Sequence, residues 1–124
     1  MDFAKLLVDM NNHALRDYPR ECVGIITKDC EYIPCNNISE NPKFTFYLDP
    51  ADLVKHDGNI WGIFHSHPGS DLPIPSSEDK VSAAFNAYKF IVGFNNKFFI
   101  YWYDKAVDAL KFEPFEEGHY VNNS

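Results

Sequence analysis

Apolar positions recur at helical spacing near the beginning of the chain, and the pattern ends at Tyr18-Pro19. These positions are Phe3, Leu6, Leu7, Met10, Ala14 and Leu15. Because polar residues fill the intervening positions, the pattern predicts an amphipathic helix over residues 3–17 that the proline ends.

Short runs rich in β-branched and aromatic residues follow. The runs ECVGIIT and EYIPC, separated by Lys28-Asp29-Cys30, predict a hairpin, and FTFYL at residues 44–48 alternates like a strand. Asp49 followed by Pro50 is typical of a helix start, so a short helix through Lys55 is expected.

The second half of the chain begins with NIWGIFHSH at residues 59–67, a strongly apolar run that predicts a strand. The loop PGSDLPIP separates it from SSEDKVSAAFNAY, in which capping residues precede a helical pattern. KFIVGF, KFFIYWY and ALKFEPF predict three closing strands. This order of elements predicts an α/β sandwich around a mixed sheet, in a single domain over residues 1–124.

Composition and charge narrow the class of protein. Hydrophobic residues make up 45% of the chain, which is typical of a globular protein. The formal charge of −7, with no cluster of Lys and Arg, argues against a nucleic-acid partner. The apolar run at the N-terminus is too short for a signal peptide, and no run is long enough for a membrane span, so a cytoplasmic protein is expected.

The cysteines suggest structural thiols. Cys22, Cys30 and Cys35 are an odd number and form no C-x-x-C pair, which argues against a disulfide framework or a thiolate zinc site. A catalytic Cys22 is the weaker alternative, because no known nucleophile signature surrounds it.

Two histidines stand one residue apart at the end of the predicted central strand. Alternation along that strand puts Trp61, Ile63, His65 and His67 on one face. Two imidazoles so placed can meet one zinc ion, each at about 2.0–2.1 Å, if a third ligand is nearby. The candidate carboxylates in the following loop and helix start are Asp71, Glu78 and Asp79.

Ser76 is a natural N-cap for the helix after the loop, with Asp79 at its third position. One interpretation is a capping box alone, beside histidines that are merely satisfied polar residues at a strand end. The combination of all these residues favours a metal site. The apolar positions of the same helix predict a buried face that consists of Val81, Ala84, Phe85 and Tyr88.

These residues together carry a family resemblance. Glu21, then His65-Ser66-His67-Pro68, then Ser76 to Asp79 resemble the JAMM (MPN-plus) motif of zinc metallopeptidases. The resemblance implies an α/β/α sandwich similar to the cytidine deaminase fold. It also implies a zinc ion held by His65, His67 and Asp79, Glu21 as general base, Ser76 at the oxyanion, and hydrolysis of an amide or isopeptide bond.

The sequence offers two candidates for the third zinc ligand. Eleven residues separate His67 from Asp79, one more than the family motif has, so strict counting selects Glu78. Matching Ser-x-x-Asp selects Asp79, with the extra residue in the loop, where insertions are better tolerated. We therefore expect Asp79 to be the ligand and keep Glu78 as the alternative.

Within the family, PRECVGII, the stretch from Glu31 to Asp52 and the HSHP loop most resemble the N-terminal domain of the tail assembly proteins K of long-tailed phages. The resemblance implies tail-tip partners and a protein or peptide substrate, including peptidoglycan-associated peptides, in the cytoplasm of an infected bacterium or in the virion tail. In those proteins a cysteine peptidase domain usually follows, so we expect that activity in a part trimmed from this chain or on another chain.

Two alternatives to a metallopeptidase remain. The first is a non-catalytic tail-tip component whose metal site is structural or vestigial. The second, a nucleoside deaminase, would need H-x-E and P-C-x-x-C ligands, and the sequence has neither.

Overall fold

Six strands form one mixed sheet in the computed structural model, which describes residues 1–121. The strands are β1 (Val23–Thr27), β2 (Tyr32–Cys35), β3 (Ile60–Ser66), β4 (Lys89–Phe94), β5 (Lys97–Asp104) and β6 (Ala109–Pro114). Their order in the sheet is β2-β1-β3-β4-β5-β6. Only β3 and β4 pair in parallel, and every other neighbouring pair is antiparallel.

The helices are α1 (Phe3–Asp17), α2 (Pro50–Lys55), α3 (Ser77–Phe85) and α4 (Glu117–Val121). Residues at the N-termini fix where three of them begin, because Asp2, Asp49 and Ser76 each accept a hydrogen bond from the first turn. No helix among residues 1–121 is long and apolar enough to cross a lipid bilayer.

The sheet has a core on each face, so the predicted α/β sandwich around a mixed sheet is confirmed. On one face α1 supplies Leu6 and Met10 to a cluster that includes Phe64 and Ile91. On the other face Ile63, Phe90 and Val92 form a second cluster, against which α2 and α3 contribute partly buried side chains. The candidate site lies on this second face.

A β-bulge shifts the start of β3 relative to the predicted alternation. Ile26 pairs with Gly62 but Thr27 pairs with Ile60, so Trp61 has no partner on β1. Trp61 therefore packs in the cluster of Phe64, on the α1 side, and does not share the face of Ile63. The prediction was wrong for Trp61 because simple alternation does not allow for the extra residue.

The predicted strand at residues 44–48 is also wrong. The backbone turns there because the amides of Phe44 and Thr45 both donate to the Asn41 carbonyl. The Tyr47 amide donates to the side chain of Asn37, and only Leu48 forms a single β-bridge, with Asn37. These local hydrogen bonds replace the ladder that the alternating pattern predicted.

The orientation of α3 differs from the prediction. Val81 and Phe85 are 59% and 83% exposed, whereas Asp79 is 5% exposed and Ala83 packs against the core. The inward face consists of Asp79, Ser82 and Ala83, at the i, i+3, i+4 spacing of one helical face. Polar contacts to the site therefore outweigh the burial of the two larger apolar side chains.

Helix α4 was missed by the sequence pattern, and it closes the α1 side of the core through Tyr120. The Tyr120 hydroxyl donates to the Thr27 carbonyl and accepts from the Cys30 amide, each at 2.6 Å, and its ring lies 4.7 Å from that of Trp61. The buried tyrosine thus holds the β1–β2 turn to the end of the described chain.

Replacing Tyr120 by Phe should lower the free energy of unfolding by about 1–2 kcal/mol, because both buried hydrogen bonds are lost while the ring is kept. Urea denaturation monitored by circular dichroism measures the change. Tyr103→Phe is the matched control, since its hydroxyl bonds to the exposed Asp108 at the surface, and should cost less than about 0.5 kcal/mol. Equal losses in the two variants would contradict the structural role of Tyr120.

Candidate metal centre

One cavity of about 100 Å³ is lined by every residue that the motif singled out. Those residues are Glu21, His65, His67, Ser76 and Asp79. They come from three separate parts of the chain, namely the segment before β1, the end of β3 and the start of α3. The remaining lining residues are Phe44, Thr45, Phe46, Glu78 and Ser82.

Glu21 is held at the cavity wall by its own backbone. Its amide donates to the Pro42 carbonyl at 2.6 Å, and its carbonyl accepts from the Asn37 side-chain amide at 3.0 Å. The next residue, Cys22, is tied to Ser66 by a pair of hydrogen bonds at 2.8 and 3.0 Å. Since Ser66 ends β3, these contacts fix Glu21 relative to the histidines.

His65 lies between two carboxylates and is 2% exposed. Its Nδ1 is 3.4 Å from Oε1 of Glu21, and its Nε2 is 3.4 Å from Oδ1 of Asp79 and 2.8 Å from the Tyr101 hydroxyl. Phe46 stacks on the ring at a centroid distance of 4.2 Å. The Glu21 approach lacks hydrogen-bond geometry, so Nδ1 is a buried polar atom without a hydrogen-bond partner among residues 1–121.

The pKa values around His65 follow from burial and the two carboxylates. Burial by itself lowers the pKa of His65, but the neighbouring Asp79 and Glu21 outweigh it, and the net pKa is raised above its usual value. Burial, followed by the same two carboxylates, raises the pKa of Tyr101 well above its usual value. Tyr101 therefore stays a neutral hydroxyl that can donate to the imidazole.

His67 stands one residue beyond β3 and is only partly buried. Its Nδ1 bonds to the Ile74 carbonyl at 3.1 Å, which requires the hydrogen to be on Nδ1. Its amide is held by the Gly93 carbonyl at 3.1 Å. The Nε2 lone pair is therefore available to the cavity, as in metal-binding histidines whose other nitrogen is anchored by a carbonyl.

Asp79 and Ser76 form the capping box that the sequence predicted, and both also line the cavity. The Ser76 amide donates to Oδ2 of Asp79 at 2.8 Å, and the Asp79 amide approaches Oγ of Ser76 at 3.4 Å. This leaves Oδ1 of Asp79 directed to His65. The capping interpretation and the site interpretation are thus compatible, because each uses a different carboxylate oxygen.

The other two carboxylates are less well placed. Glu78 lines the same cavity but is exposed on its rim, and Asp71 is exposed in the loop and lies outside the lining. The geometry therefore favours Asp79 over Glu78 as the partner of His65.

The donor set is of a kind that zinc binds. Two imidazoles and a carboxylate are ordinary zinc ligands, and three protein ligands leave a position open for water or substrate. The anchored Nδ1 of His67 leaves its Nε2 free to bind a metal ion, whereas Nε2 of His65 is hydrogen-bonded to the Tyr101 hydroxyl and would have to exchange that contact for the metal. In the described part of the chain, however, no three His, Cys, Asp or Glu side chains already converge as a metal-binding group. The residues fit zinc in chemistry and in their shared cavity, and side-chain adjustment would complete the site.

Sequence reasoning missed two contacts of His65. Tyr101 comes from β5, two strands away from β3, and nothing in KFFIYWY marks one aromatic residue as polar in function. Phe46 was assigned to a strand, and it stacks on the imidazole from a turn. Both contacts depend on tertiary structure.

Comparisons with known proteins identify the family. Residues 3–112 match the family described as prokaryotic homologs of the JAB domain. The chain belongs to this family. The match covers the whole sheet except the end of β6, together with α1, α2 and α3.

Two curated relatives show where similar domains occur. The tail tip assembly protein K of Escherichia phage N15 is 38% identical over 73 residues, which cover 55% of this chain and 30% of that protein. A protein of the bacterium Thermus thermophilus named "Probable TtuB-protein conjugate cleaving protease" is 35% identical over 81 residues, which cover 56% of this chain and 55% of that protein. This chain therefore spans about a third to a half of the curated relatives that it matches.

The cysteines do not take part in the candidate site. Cys22, Cys30 and Cys35 are free and buried. Burial raises the pKa of Cys22 to about 12 and that of Cys35 to about 11, and it also raises the pKa of Cys30. A thiol nucleophile needs a lowered pKa and access to substrate, so Cys22 does not fit that role.

We expect the three thiols of the native protein to react with Ellman's reagent at pH 8 at least about 100-fold more slowly than in 8 M urea, because burial keeps them protonated and inaccessible. Absorbance at the wavelength of the released thiolate gives the rate. One thiol that reacts in native protein as fast as in urea would contradict the buried assignment and reopen the case for a reactive cysteine.

Proposed function

We propose that this domain is a zinc-dependent hydrolase of amide or isopeptide bonds, with His65, His67 and Asp79 as metal ligands. Glu21 acts as general base and Ser76 as a donor to the oxyanion. The observation that carries the proposal is the convergence of these residues on one cavity from distant parts of the chain. Membership of the JAB-domain family and the protease name of one relative support the same reaction class.

Zinc held by the two histidines and Asp79 would supply Lewis acidity, both for the substrate carbonyl and for the attacking water. The chain's own contribution is to fix the ligands. The Ile74 carbonyl holds His67 in one tautomer, and the capping box holds the Asp79 carboxylate on the first turn of α3. Both contacts reduce the freedom that the ligands would lose on binding a metal ion.

Glu21 is the proposed carrier of the proton. Its carboxylate lies on the cavity wall beside His65, where it can accept a proton from the attacking water. As the water oxygen bonds to the carbonyl carbon and the C–N bond breaks, Glu21 returns that proton to the leaving amine. The Phe46 ring on one side of His65 limits the access of bulk water.

Ser76 can serve the oxyanion without giving up its capping role. A hydroxyl accepts hydrogen bonds through its lone pairs and donates its own hydrogen. Its Oγ is approached by the Asp79 amide, so the O–H group remains available to the negative oxygen that forms during hydrolysis.

The proposed substrate is a protein or peptide, and the names of the two relatives support two settings for it. By analogy with the phage N15 protein, the domain works with tail-tip proteins, in the cytoplasm of the infected bacterial host or in the virion tail. The resemblance seen in the sequence adds peptidoglycan-associated peptides as substrates. By analogy with the Thermus protein, whose name describes a protease that cleaves a TtuB-protein conjugate, it cleaves a protein conjugate. The net charge of −7 makes nucleic acid a poor partner.

A second candidate function is a non-catalytic tail-tip assembly component. The name of the phage relative favours it, and so does the hydrogen bond from Tyr101 to His65 Nε2, which occupies a nitrogen that a metal would use. Both candidate functions use the same fold, and only the hydrolase would turn over a peptide substrate.

We expect the purified protein to bind about one zinc ion per chain, and Asp79→Asn to weaken binding at least about 100-fold. Changing a residue that only hydrogen-bonds to a metal ligand typically lowers metal affinity by about 10–100-fold, so a larger loss identifies a ligand. The side-chain oxygen of asparagine can still accept the hydrogen bond from the Ser76 amide, so the helix start is kept. Competition with a zinc-chelating dye measures the affinity, and His65→Ala and His67→Ala should abolish binding.

Glu78→Gln is the matched control for the ligand assignment, since it is the neighbouring carboxylate on the rim of the cavity. It should bind zinc as the unaltered protein does, and so should His56→Ala. If Glu78→Gln loses zinc and Asp79→Asn does not, then Glu78 is the ligand and the extra residue lies after Ser76.

Glu21→Gln should keep the fold and bound zinc but lower peptide hydrolysis by at least about 100-fold, because the amide cannot take up the proton. Mass spectrometry of a peptide library gives turnover, and metal analysis gives zinc content. A 10–100-fold loss of zinc affinity would instead make Glu21 an orienting partner of His65 Nδ1. No turnover by the unaltered protein under any condition with zinc bound would favour the assembly component.

A further inference from the structure

A second cavity of about 110 Å³ lies beside the candidate metal centre. We call it the apolar pocket. Ile63 and Phe90, which pair across β3 and β4, lie on the sheet beneath it, and Leu48, Leu53 and Tyr88 are among its walls. None of its lining residues carries a charge, whereas the metal cavity is lined by three carboxylates.

The two cavities are adjacent, because Phe46 and Ser82 line both of them. A side chain of a peptide that lies over His65 is therefore within reach of the apolar pocket. Ile63 is two residues before His65 in β3, which corresponds to about 6.6 Å at 3.3 Å per residue. Alternate side chains of an extended peptide have the same spacing. A substrate that aligns its scissile bond with His65 can therefore place a nearby side chain over Ile63.

We propose that the apolar pocket is a specificity pocket for one branched aliphatic side chain, such as Leu, Ile or Val, within two residues of the scissile bond. The proposal rests on the proposed hydrolase function and names the class of substrate. The volume agrees with it, because an apolar cavity of about 150 Å³ holds a benzene ring and this one is smaller.

The lining disfavours side chains that are charged, too large or too small. A charged side chain would leave water without finding a counter-charge in the pocket, which is unfavourable. A tryptophan is too large for the volume, and an alanine leaves most of it unfilled. Leucine should therefore be favoured over alanine by about tenfold or more, since each buried methylene in such a pocket adds to the preference.

The first test measures binding. The probes are acetylated hexapeptides of one sequence with a single varied position, occupied by Ala, Leu, Trp or Asp, titrated into zinc-loaded Glu21→Gln protein and followed by the methyl NMR signals of Leu53 and Ile63. We expect the Leu peptide to bind at least about tenfold more tightly than the Ala and Asp peptides and to shift both signals. Equal affinities, shifts only elsewhere, or no binding at millimolar peptide would overturn the proposal.

Substitutions in and beside the apolar pocket test whether the preference for the Leu peptide arises there. Asn86 lines the pocket and is exposed, so Asn86→Trp should fill the mouth and abolish the preference for Leu. Ala87→Trp is the matched control, because it adds the same side chain at the next exposed position outside the lining, and it should keep the preference. Leu53→Ala should enlarge the pocket and improve binding of the Trp peptide. If Ala87→Trp and Asn86→Trp behave alike, the pocket does not bind the side chain.

The same peptides tested for hydrolysis by unaltered protein separate this proposal from the hydrolase function. A preference for Leu in binding without hydrolysis of any peptide supports the pocket and counts against the hydrolase. Hydrolysis without preference at any position overturns the pocket and leaves the hydrolase in place. Methyl shifts that depend on protein concentration and need no peptide would show that a second copy fills the pocket, which also overturns the proposal.

Discussion

A buried imidazole between two buried carboxylates is the constraint on which the rest of this site depends. His65, Glu21 and Asp79 are 2%, 7% and 5% exposed, and both carboxylates approach the ring at 3.4 Å. Buried charges are tolerated only with partners, and removing one member leaves the others uncompensated. The three residues come from separate segments, so they meet only when β1 lies beside β3 and α3 returns across the same face. Since apolar residues of similar volume would often give a more stable protein, the cluster is best explained by function.

The polar residues around this cluster form a framework that positions it. Asn37 uses its whole side chain: its amide donates to the carbonyls of Glu21 and Thr45, and its oxygen accepts from the amides of Ser39 and Tyr47. One asparagine thus joins the segment that carries Glu21 to the turn that carries Phe46. Satisfied networks of this kind specify one arrangement, because any slip leaves several buried polar groups unpaired. The ring of Phe46 is consequently held against His65, and it forms the boundary between the metal cavity and the apolar pocket.

Local signals in the sequence were sufficient for most of the fold, and the family resemblance selected five residues that line one cavity. The caps Asp49 and Ser76, the periodicity of α1 and the apolar runs of the strands act over a few residues, and the structure has these elements where they were predicted. The failures have two causes. The bulge at Trp61 is a property of the β1–β3 pairing, whereas the turn at residues 41–48 comes from short-range hydrogen bonds to Asn37 and Asn41 that the alternating pattern does not show. Tyr101 reaches His65 from two strands away. The assignment of ligands and base to these residues stays a prediction.

Helix α3 shows how function can override the pattern that a sequence presents. Its two largest apolar residues, Val81 and Phe85, point to solvent, while Asp79 and Ser82 face the site. Fully burying a Phe side chain contributes roughly 1.5–3 kcal/mol, and that stabilisation is not realised here. The helix is instead rotated so that its capping box, formed by Ser76 and Asp79, directs a carboxylate oxygen to His65. Conflicts between local pattern and structure are expected at functional sites, because there the position of one polar group matters more than the burial of an apolar one. The exposed face of α3 is therefore itself an indication that the inward face is retained for chemistry.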